Sequence, residues 1–365
     1  GVLVCWCAGV LVCYCTVGLR VPGMLQYITV LEYKNKKRRE KNKEKIMLLS
    51  VVVAASFHAF MLAQAELPPD YPSVPMRGID NGSVRMPLVG IGTWLYNDTV
   101  AYQAVQTAFA AGYRHVDTAK SYGNQAGVGN ALKASGLERH EYFITSKIPG
   151  AVNDSAFATT RALDECLELL QQDYVDLMLI HWPGKTRRSR QNQWLALEAW
   201  ARAGRARAIG ISHYCRTHVE EILEVATMPI ALTQEQYHVG MGKDTQAKLH
   251  DKAYTDSQGI LYMGYSTLCG PCPAPHNHEL INGELVSAVG APLNKTGAQV
   301  ALRWAVQQGI PVIPKSNNPK HIASNFELFD FVIPDEGMQT LTAATSPPET
   351  GTSQRPDDAQ DCKQR

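Results

Sequence analysis

A surplus of charge of either sign is absent from this chain. Its 35 Lys and Arg stand against 34 Asp and Glu, for a net charge of +1. A balance so near neutral gives no electrostatic footprint for nucleic acid. Cysteine is sparse too: there are 9 in 365 residues, and Cys5, Cys7, Cys13 and Cys15 crowd the N-terminus. That scatter excludes a disulfide scaffold for the body of the chain. The Cys-x-Cys pairs also lack the spacing and the histidine partner of a zinc site. No Gly-x-Gly-x-x-Gly opens a helix, since Gly90-Ile91-Gly92 runs on into Thr93-Trp94. This weakens the case for a doubly wound dinucleotide-binding sheet. His276-Asn277-His278 offers two imidazoles with no carboxylate nearer than Glu279, so no metal site is expected.

What is present is ordinary globular composition, 45% hydrophobic and 19% charged, with length for one large core or two small ones. The first 73 residues read differently from the rest. Residues 1–33 are apolar without clear periodicity, and residues 34–45 are a run of Lys, Asn, Arg and Glu. The preferred reading of 1–46 is a non-native leader, because those residues are what a translated A-rich leader would give. The alternative is a solvated, disordered basic arm. Met47 then opens an apolar stretch that ends Ala63-Gln64-Ala65, the pattern of a signal peptide over 47–65 with an A-x-A cleavage site. His58 interrupts the apolar run, which argues against a spanning helix. The alternative is a helix packed on the domain. Prolines 68, 69 and 72 make 66–73 a linker, and the polar stretch 346–365 reads as a disordered tail.

From residue 74 the pattern alternates. Asn81-Gly82 between β-formers predicts a hairpin. Strands are expected at 88–93, 115–118, 142–147, 175–181, 208–212, 232–237, 260–266 and 312–314. Helices are expected near 99–111, 126–135, 154–171, 193–203, 217–227, 245–257 and 296–308. In the third helix Ala162, Cys166, Leu169 and Leu170 form the apolar stripe, with Asp154 as N-cap. About eight β-then-α units predict a (β/α)8 TIM barrel over 74–345, preceded by the hairpin. The runner-up is the doubly wound sheet.

Barrels of this kind carry their chemistry at the C-terminal strand ends. There the sequence places an acid, Asp117, a phenol, Tyr122, an ammonium, Lys147, and an imidazole, His181. A phenol keeps its proton at neutral pH, and a neighbouring ammonium lowers its pKa. Lys147 could supply that charge, Asp117 could hold Lys147, and His181 could orient a substrate oxygen. Such a set moves a proton to or from an oxygen while a cofactor carries hydride. Each residue also has a bland reading as a cap, a core ring or a surface charge. Four at corresponding strand ends are harder to dismiss.

Gly112-Tyr113-Arg114-His115-Val116-Asp117-Thr118-Ala119, Tyr122-Gly123-Asn124, Thr145-Ser146-Lys147, Leu179-Ile180-His181-Trp182-Pro183, Ala208-Ile209-Gly210-Ile211-Ser212 and Ile313-Pro314-Lys315-Ser316 together resemble the aldo-keto reductases. The likeness runs from about 74 to 345 and leans to the aldehyde/2,5-diketogluconate reductase branch. It implies an NADPH-dependent carbonyl reductase, with Tyr122 as general acid assisted by Lys147, Asp117 and His181. It implies that Trp94 and Trp182 wall the substrate pocket. It implies that Ser212 and Gln234 hold the nicotinamide carboxamide and that Tyr265 stacks on its ring. Lys315 and Ser316 would meet the 2′-phosphate and Asn325 the adenine.

The chain departs from the family pattern at several places. His213 stands where Asn is usual, His321 where Arg is frequent, and Val239 and Thr267 where proline is usual. These bear on affinity and substrate range more than on reaction type. Residues 184–192 read as a short basic loop with Lys185, Arg187, Arg188 and Arg190, either solvated or attracting anions. Cys269-Gly270-Pro271-Cys272 matches the thioredoxin redox motif, but Pro273 and Pro275 follow it, which favours a loop. The expected partners are NADP(H) and a small carbonyl substrate, with no nucleic acid and no stable membrane span in the mature domain. The expected state is a monomer, in the secretory pathway or an organelle, or alternatively in the cytoplasm. The competing function is an NADPH-binding redox-sensing module without turnover.

Overall fold

The structure is a computed structural model and describes residues 2–7, 12–21, 24–33, 67–80, 82–151, 155–241, 252–268 and 277–346. The expected signal peptide, the Cys269/Cys272 pair, His276 and the tail from 347 lie outside the described residues. The chain divides into two units, Gly1–Phe60 and Met61–Arg365. In the first, β1 (Val2–Cys7), β2 (Val12–Val21) and β3 (Met24–Tyr33) pair antiparallel in that order, a pairing that the sequence does not announce.

The second unit opens with β4 (Ser73–Arg77) and β5 (Ser83–Pro87), paired antiparallel across the expected turn. Asn81 of that turn lies outside the described residues. Met76, Val84 and Met86 from this pair are buried in one cluster with Phe143, Leu177 and Ala208. The Ile79 N–H donates to the Arg207 carbonyl at 3.0 Å. The pair therefore packs on residues near the start of β8 (Phe143–Ile148), β9 (Val175–Ile180) and β10 (Ala206–Ser212).

Those three belong to a seven-stranded sheet with β6 (Ile91–Gly92), β7 (His115–Asp117), β11 (Leu232–Gln236) and β12 (Leu261–Tyr265). Its spatial order is the sequence order, and every pairing is parallel. Every residue of β8, β9 and β11 is buried, as expected where both faces are covered. The sheet is curled. Val312 bridges both Val89, beside one outer strand, and Gly264, in the other. The expected eighth strand is thus reduced to a bridge, although the Gly92 N–H still reaches the Pro314 carbonyl at 3.2 Å. Two glycines permit close packing here, Gly92 against the closing segment and Gly90 against His115. A Cβ on Gly90 would lie 2.1 Å from His115 Nδ1, and one on Gly92 would lie 2.9 Å from the Ile313 carbonyl oxygen. Gly90-Ile91-Gly92 is therefore a packing device and does not make a phosphate turn.

The helices follow the expected alternation, with α1 at Asp98–Ala110, α2 at Gln125–Ala134, α3 at Ala156–Leu170, α4 at Arg187–Trp200, α5 at Arg216–Leu223 and α6 at Lys252–Ser257. Beyond them come α7 (Asn277–Asn282), α8 (Glu284–Gly290), α9 (Gly297–Gln307), α10 (Pro319–Ser324) and α11 (Asp335–Ala343). Three local expectations are corrected. The buried face of α3 is Thr159, Leu163, Cys166, Leu167 and Leu170, while Leu169 is 43% exposed. Its N-cap is Ser155, whose hydroxyl accepts from the Ala158 N–H at 3.2 Å. Asp154 lies outside the described residues. The basic stretch after Trp182 is also not a loop throughout. Thr186 and Ser189 form a reciprocal capping box that starts α4 at Arg187. Arg187 pairs with Glu224, and Arg190 pairs with Glu221 at 2.6 Å, which neutralises these two charges of the basic run. Cys166 is a buried free thiol and Cys215 is disulfide-bonded. No helix among the described residues is long and apolar enough to cross a membrane.

Candidate active site

The parallel register delivers the site. Asp117 closes β7, Lys147 is the last residue but one of β8, and His181 follows Ile180 at the end of β9. All three therefore emerge at one end of the sheet. Tyr122 comes from a single 3-10 turn, Lys120–Tyr122, closed by Gly123 at φ 69°. Glycine takes that left-handed conformation without steric cost.

Lys147 is fully buried, and its ammonium is surrounded by acceptors. Nζ lies 2.5 Å from Asp117 Oδ1, 3.1 Å from the Thr118 carbonyl and 3.4 Å from the Tyr122 hydroxyl. The second Asp117 oxygen accepts from Gln234 Nε2 at 2.8 Å. β7 and β11 are four strands apart in the sheet order, so this bond crosses the interior and requires the curl. The Ser212 hydroxyl donates to the Gln234 carbonyl at 2.6 Å. The His181 ring packs edge-on to Tyr122, with centroids 5.5 Å apart, and against Trp182 at 4.6 Å. Its Nδ1 lies 3.1 Å from the Ser121 hydroxyl. Seven expected site residues are thus linked: Asp117, Tyr122, Lys147, His181, Trp182, Ser212 and Gln234.

The electrostatics correct one expectation. The nearby lysine does not leave Tyr122 with a lowered pKa. Burial pushes it well above the ordinary phenol value, and the Asp117 carboxylate adds to the rise. With Asp117 at 2.5 Å, the ammonium charge is largely cancelled before it reaches the phenol. Burial pulls Lys147 down, while Asp117 opposes that shift. The result is a phenol that keeps its proton through the physiological range and a donor network aimed at its oxygen.

The remaining expected residues are placed as follows. Tyr265 ends β12 and is half-buried. Trp94 is 49% exposed on a short loop. Buried Asn124 fixes that loop by donating to the Thr93 carbonyl at 2.7 Å and the Tyr96 carbonyl at 2.9 Å. Lys315 lies over the Tyr96 ring at 4.8 Å. The Ser316 hydroxyl accepts from the Asn318 N–H at 3.1 Å, and Asn325 is buried as the C-cap of α10. Asn124, Ser121 and His213 are positions whose contacts the sequence does not disclose. The one signal available was their adjacency to the strand-end motifs.

The residues fit a nicotinamide dinucleotide. Gln234 spends its amide nitrogen on Asp117, which leaves its carbonyl oxygen able to accept from a carboxamide. The Thr267 hydroxyl, two residues past Tyr265, is buried with no protein partner, an orphan that a polar ligand group would satisfy.

Residues 88–346 match the model described as the aldo/keto reductase family. The glyoxal reductase of Bacillus subtilis (strain 168) is 38% identical over 267 residues, covering 73% of this chain and 91% of that protein. The morphine 6-dehydrogenase of Pseudomonas putida is 32% identical over 274 residues, covering 73% of this chain and 90% of that protein. Among solved structures, the aldose reductase from Schistosoma japonicum aligns with a TM-score of 0.66 at 28% identity, covering 76% of this chain and 94% of that one. The family uses nicotinamide cofactors to reduce carbonyl groups. With its strand-end quartet gathered at one end of a curled parallel sheet, this chain belongs to the aldo/keto reductase family and is an oxidoreductase acting on carbonyl groups.

Proposed function

We propose that this protein reduces an aldehyde or ketone to an alcohol with NADPH, and that Tyr122 is the general acid. The observation that carries the reading is the chain of contacts from Gln234 through Asp117 and Lys147 to the Tyr122 hydroxyl. The curled sheet is read as a (β/α)8 barrel closed through Val312, with this chain of contacts at its mouth.

A bound nicotinamide supplies the hydride. The protein's share of the chemistry is to orient the carbonyl, exclude water and deliver a proton. The Tyr122 hydroxyl donates to the carbonyl oxygen as charge develops on it, and His181 offers a second hydrogen bond that fixes the oxygen's direction. Lys147 then stands beside the phenolate that Tyr122 becomes. Asp117 keeps the ammonium from swinging away. Ser212 and Gln234 would hold the carboxamide, Tyr265 the nicotinamide ring, Lys315 and Ser316 the 2′-phosphate, and Asn325 the adenine. Lys315 is an exposed cation beside a hydroxyl, a chemistry suited to a phosphate. Trp94 and Trp182 would wall the substrate site. Mixing the purified protein with NADPH and a panel of aldehydes and ketones tests the reading. Consumption of reduced cofactor with at least one carbonyl is expected. Tight NADPH binding with no turnover on any of them would favour the redox-sensing module, a reading that the reductases and dehydrogenase among the relatives do not support.

The mature protein is further read as starting after Ala65, with export directed by residues 47–65. N-terminal sequencing of protein from the native source decides this. A mature chain that begins at or before Met47 would contradict it.

A further inference from the structure

Four lysines among the described residues lie over aromatic rings: Lys147 over Tyr122, Lys252 over Tyr262, Lys295 over Phe331 and Lys315 over Tyr96. Three of them also bind a carboxylate: Lys147 that of Asp117, Lys252 that of Asp256 and Lys295 that of Asp330. Lys315 has no carboxylate and no hydrogen-bond acceptor for its ammonium among the described residues. What it has is the Tyr96 ring, with Nζ 4.8 Å from the centroid. Partial burial lowers the Lys315 pKa, with no anion to oppose the shift. Nor is Tyr96 an anion, since burial pushes its phenol up to about 12. The fold has placed this cation without cancelling its charge.

Both backbones beneath the contact are anchored. The Gly92 N–H donates to the Pro314 carbonyl at 3.2 Å, and a Cβ on Gly92 would lie 3.9 Å from Lys315 Cβ. Lys315 therefore starts beside the end of β6. The chain that leaves β6 turns through Leu95 at φ +63°, a conformation that residues other than glycine adopt where the surroundings hold them. Here the Tyr96 N–H returns to the Thr93 carbonyl at 3.3 Å, and buried Asn124 donates to the Tyr96 carbonyl at 2.9 Å. What is left to move is the flexible four-carbon stem of the lysine. A ring face attracts an ammonium through its quadrupole. It takes up one side of the group, and the hydrogens on the other side stay free for an acceptor.

We propose that Tyr96 is a positioning residue for Lys315: its ring holds the ammonium ready for the 2′-phosphate, and this sharpens the preference for NADPH over NADH. The inference rests on the reading of Lys315 as the residue that meets the 2′-phosphate. A carboxylate in the place of Tyr96 would fix the lysine equally well, but the phosphate would then have to displace it. The ring orders the cation and leaves its charge available. Without the ring the stem is ordered only when the phosphate arrives, and that cost is taken from the affinity. The cost falls on NADPH alone, because NADH has no 2′-phosphate.

The test is the ratio of NADPH to NADH affinity, each measured by quenching of protein fluorescence. Y96L should weaken NADPH by about twofold to fivefold, the scale of an exposed cation–ring contact, and leave NADH unchanged. Y96F keeps the ring and loses only the hydroxyl, so it should keep the parent ratio. K315M should weaken NADPH by about tenfold or more, the scale of a charge-assisted hydrogen bond. The double variant Y96L/K315M should be no weaker than K315M, because the ring acts only through the lysine. An unchanged or improved ratio in Y96L, equal losses for the two cofactors, a loss in Y96F as large as in Y96L, or a double variant weaker than K315M would each overturn the proposal. K315M separates this from failure of the underlying reading: if it keeps the parent ratio, Lys315 does not meet the 2′-phosphate at all. Should Y96L fail to fold by its thermal midpoint, Y96M carries the same comparison.

Discussion

At the start of β9, buried Asp176 accepts from two guanidinium groups, Arg139 at 2.7 Å and Arg207 at 2.9 Å, and from the Ile144 N–H at 2.9 Å. At the end of β7, buried Asp117 accepts from one ammonium and one amide. Both are carboxylate–cation clusters buried in the same sheet, yet they are built for different ends. Arginine does not release its proton, and Arg139 is also stacked over Tyr174, its guanidinium 3.9 Å from that ring's centroid. That cluster holds no hydrogen that it could transfer. Lysine has three rotatable hydrogens and shifts its pKa when buried, and here one of its neighbours is a phenol that can give up a proton. What separates a clamp from a catalytic group in this fold is therefore the identity of the cation and the presence of a third, transferable hydrogen.

The sharpest way to break the comparison is Tyr122→Phe. It removes the transferable hydrogen and little else. Turnover should fall by about 10²–10⁴-fold, the scale of general acid catalysis, while NADPH affinity and the urea midpoint stay near the parent values. Steady-state rates and fluorescence titration on one preparation measure both. A variant that retained even a tenth of the parent rate would mean that Tyr122 is not the acid. Asp176→Asn should do the reverse. It strands two buried-side guanidinium charges, so stability should drop by about 3 kcal/mol or more, with kcat per folded molecule unchanged. A kcat that fell in step with stability would show that the two clusters are not independent.

The active-site end was legible because three of its residues lie at or next to strand ends and the fourth, Tyr122, follows one of them by a single turn. Asp117, Lys147 and His181 stand at the ends of the strands expected from the β-formers before them, and Tyr122 lies five residues past Asp117. The clamp end was not. Asp176 interrupts Val175-Asp176-Leu177 without a local explanation, because its partners Arg139 and Arg207 come from 37 and 31 residues away. Parallel pairing brings distant residues together, and no short motif encodes that. The eighth strand was over-read for a related reason. Its bridges are both at Val312, to Val89 and Gly264 at once, so the curl closes without a full strand there. The basic run at 185–190 was read by charge, while the capping box of Thr186 and Ser189 decided its structure. The sign of the Tyr122 shift was missed because burial is a tertiary quantity and outweighs the nearby cation.

A control lies outside both clusters. Ser155→Ala removes the N-cap of α3 and leaves the Ala158 N–H unpaired. The expected cost is about 1 kcal/mol of stability, with no effect on turnover or cofactor binding. Urea unfolding and a single rate measurement check it. A change in rate would imply that α3 communicates with the strand ends, which the two-cluster picture does not allow.

His115 lies between the clusters and gives the finest test of them. Its ring is fully buried, Nε2 sits 2.9 Å from the Thr145 hydroxyl, and Nδ1 has no partner against Gly90. Its pKa is pulled from 6.5 to about 3, chiefly by burial. Within that shift Lys147 of one cluster also acts to lower it, and Asp176 of the other acts to raise it. The sign of the stability effect follows from which state takes up the proton. Below the unfolded value the unfolded chain binds a proton and the folded one does not, so stability is lost as pH falls from 6.5 towards the folded value near 3. Between pH ~7 and ~6 the loss from this one group is about 0.7 kcal/mol. His115→Asn should remove that slope, measured as the difference in urea midpoint between the two pH values, whatever it does to stability at pH ~7. In Asp176→Asn, where the charge that raises the His115 pKa is gone, the slope should persist or steepen at lower pH. In Lys147→Met, the His115 pKa should rise and the loss should end at a higher pH. If neither substitution moves the acid arm, His115 is held neutral by burial alone, and the two ends of the sheet do not meet at this ring.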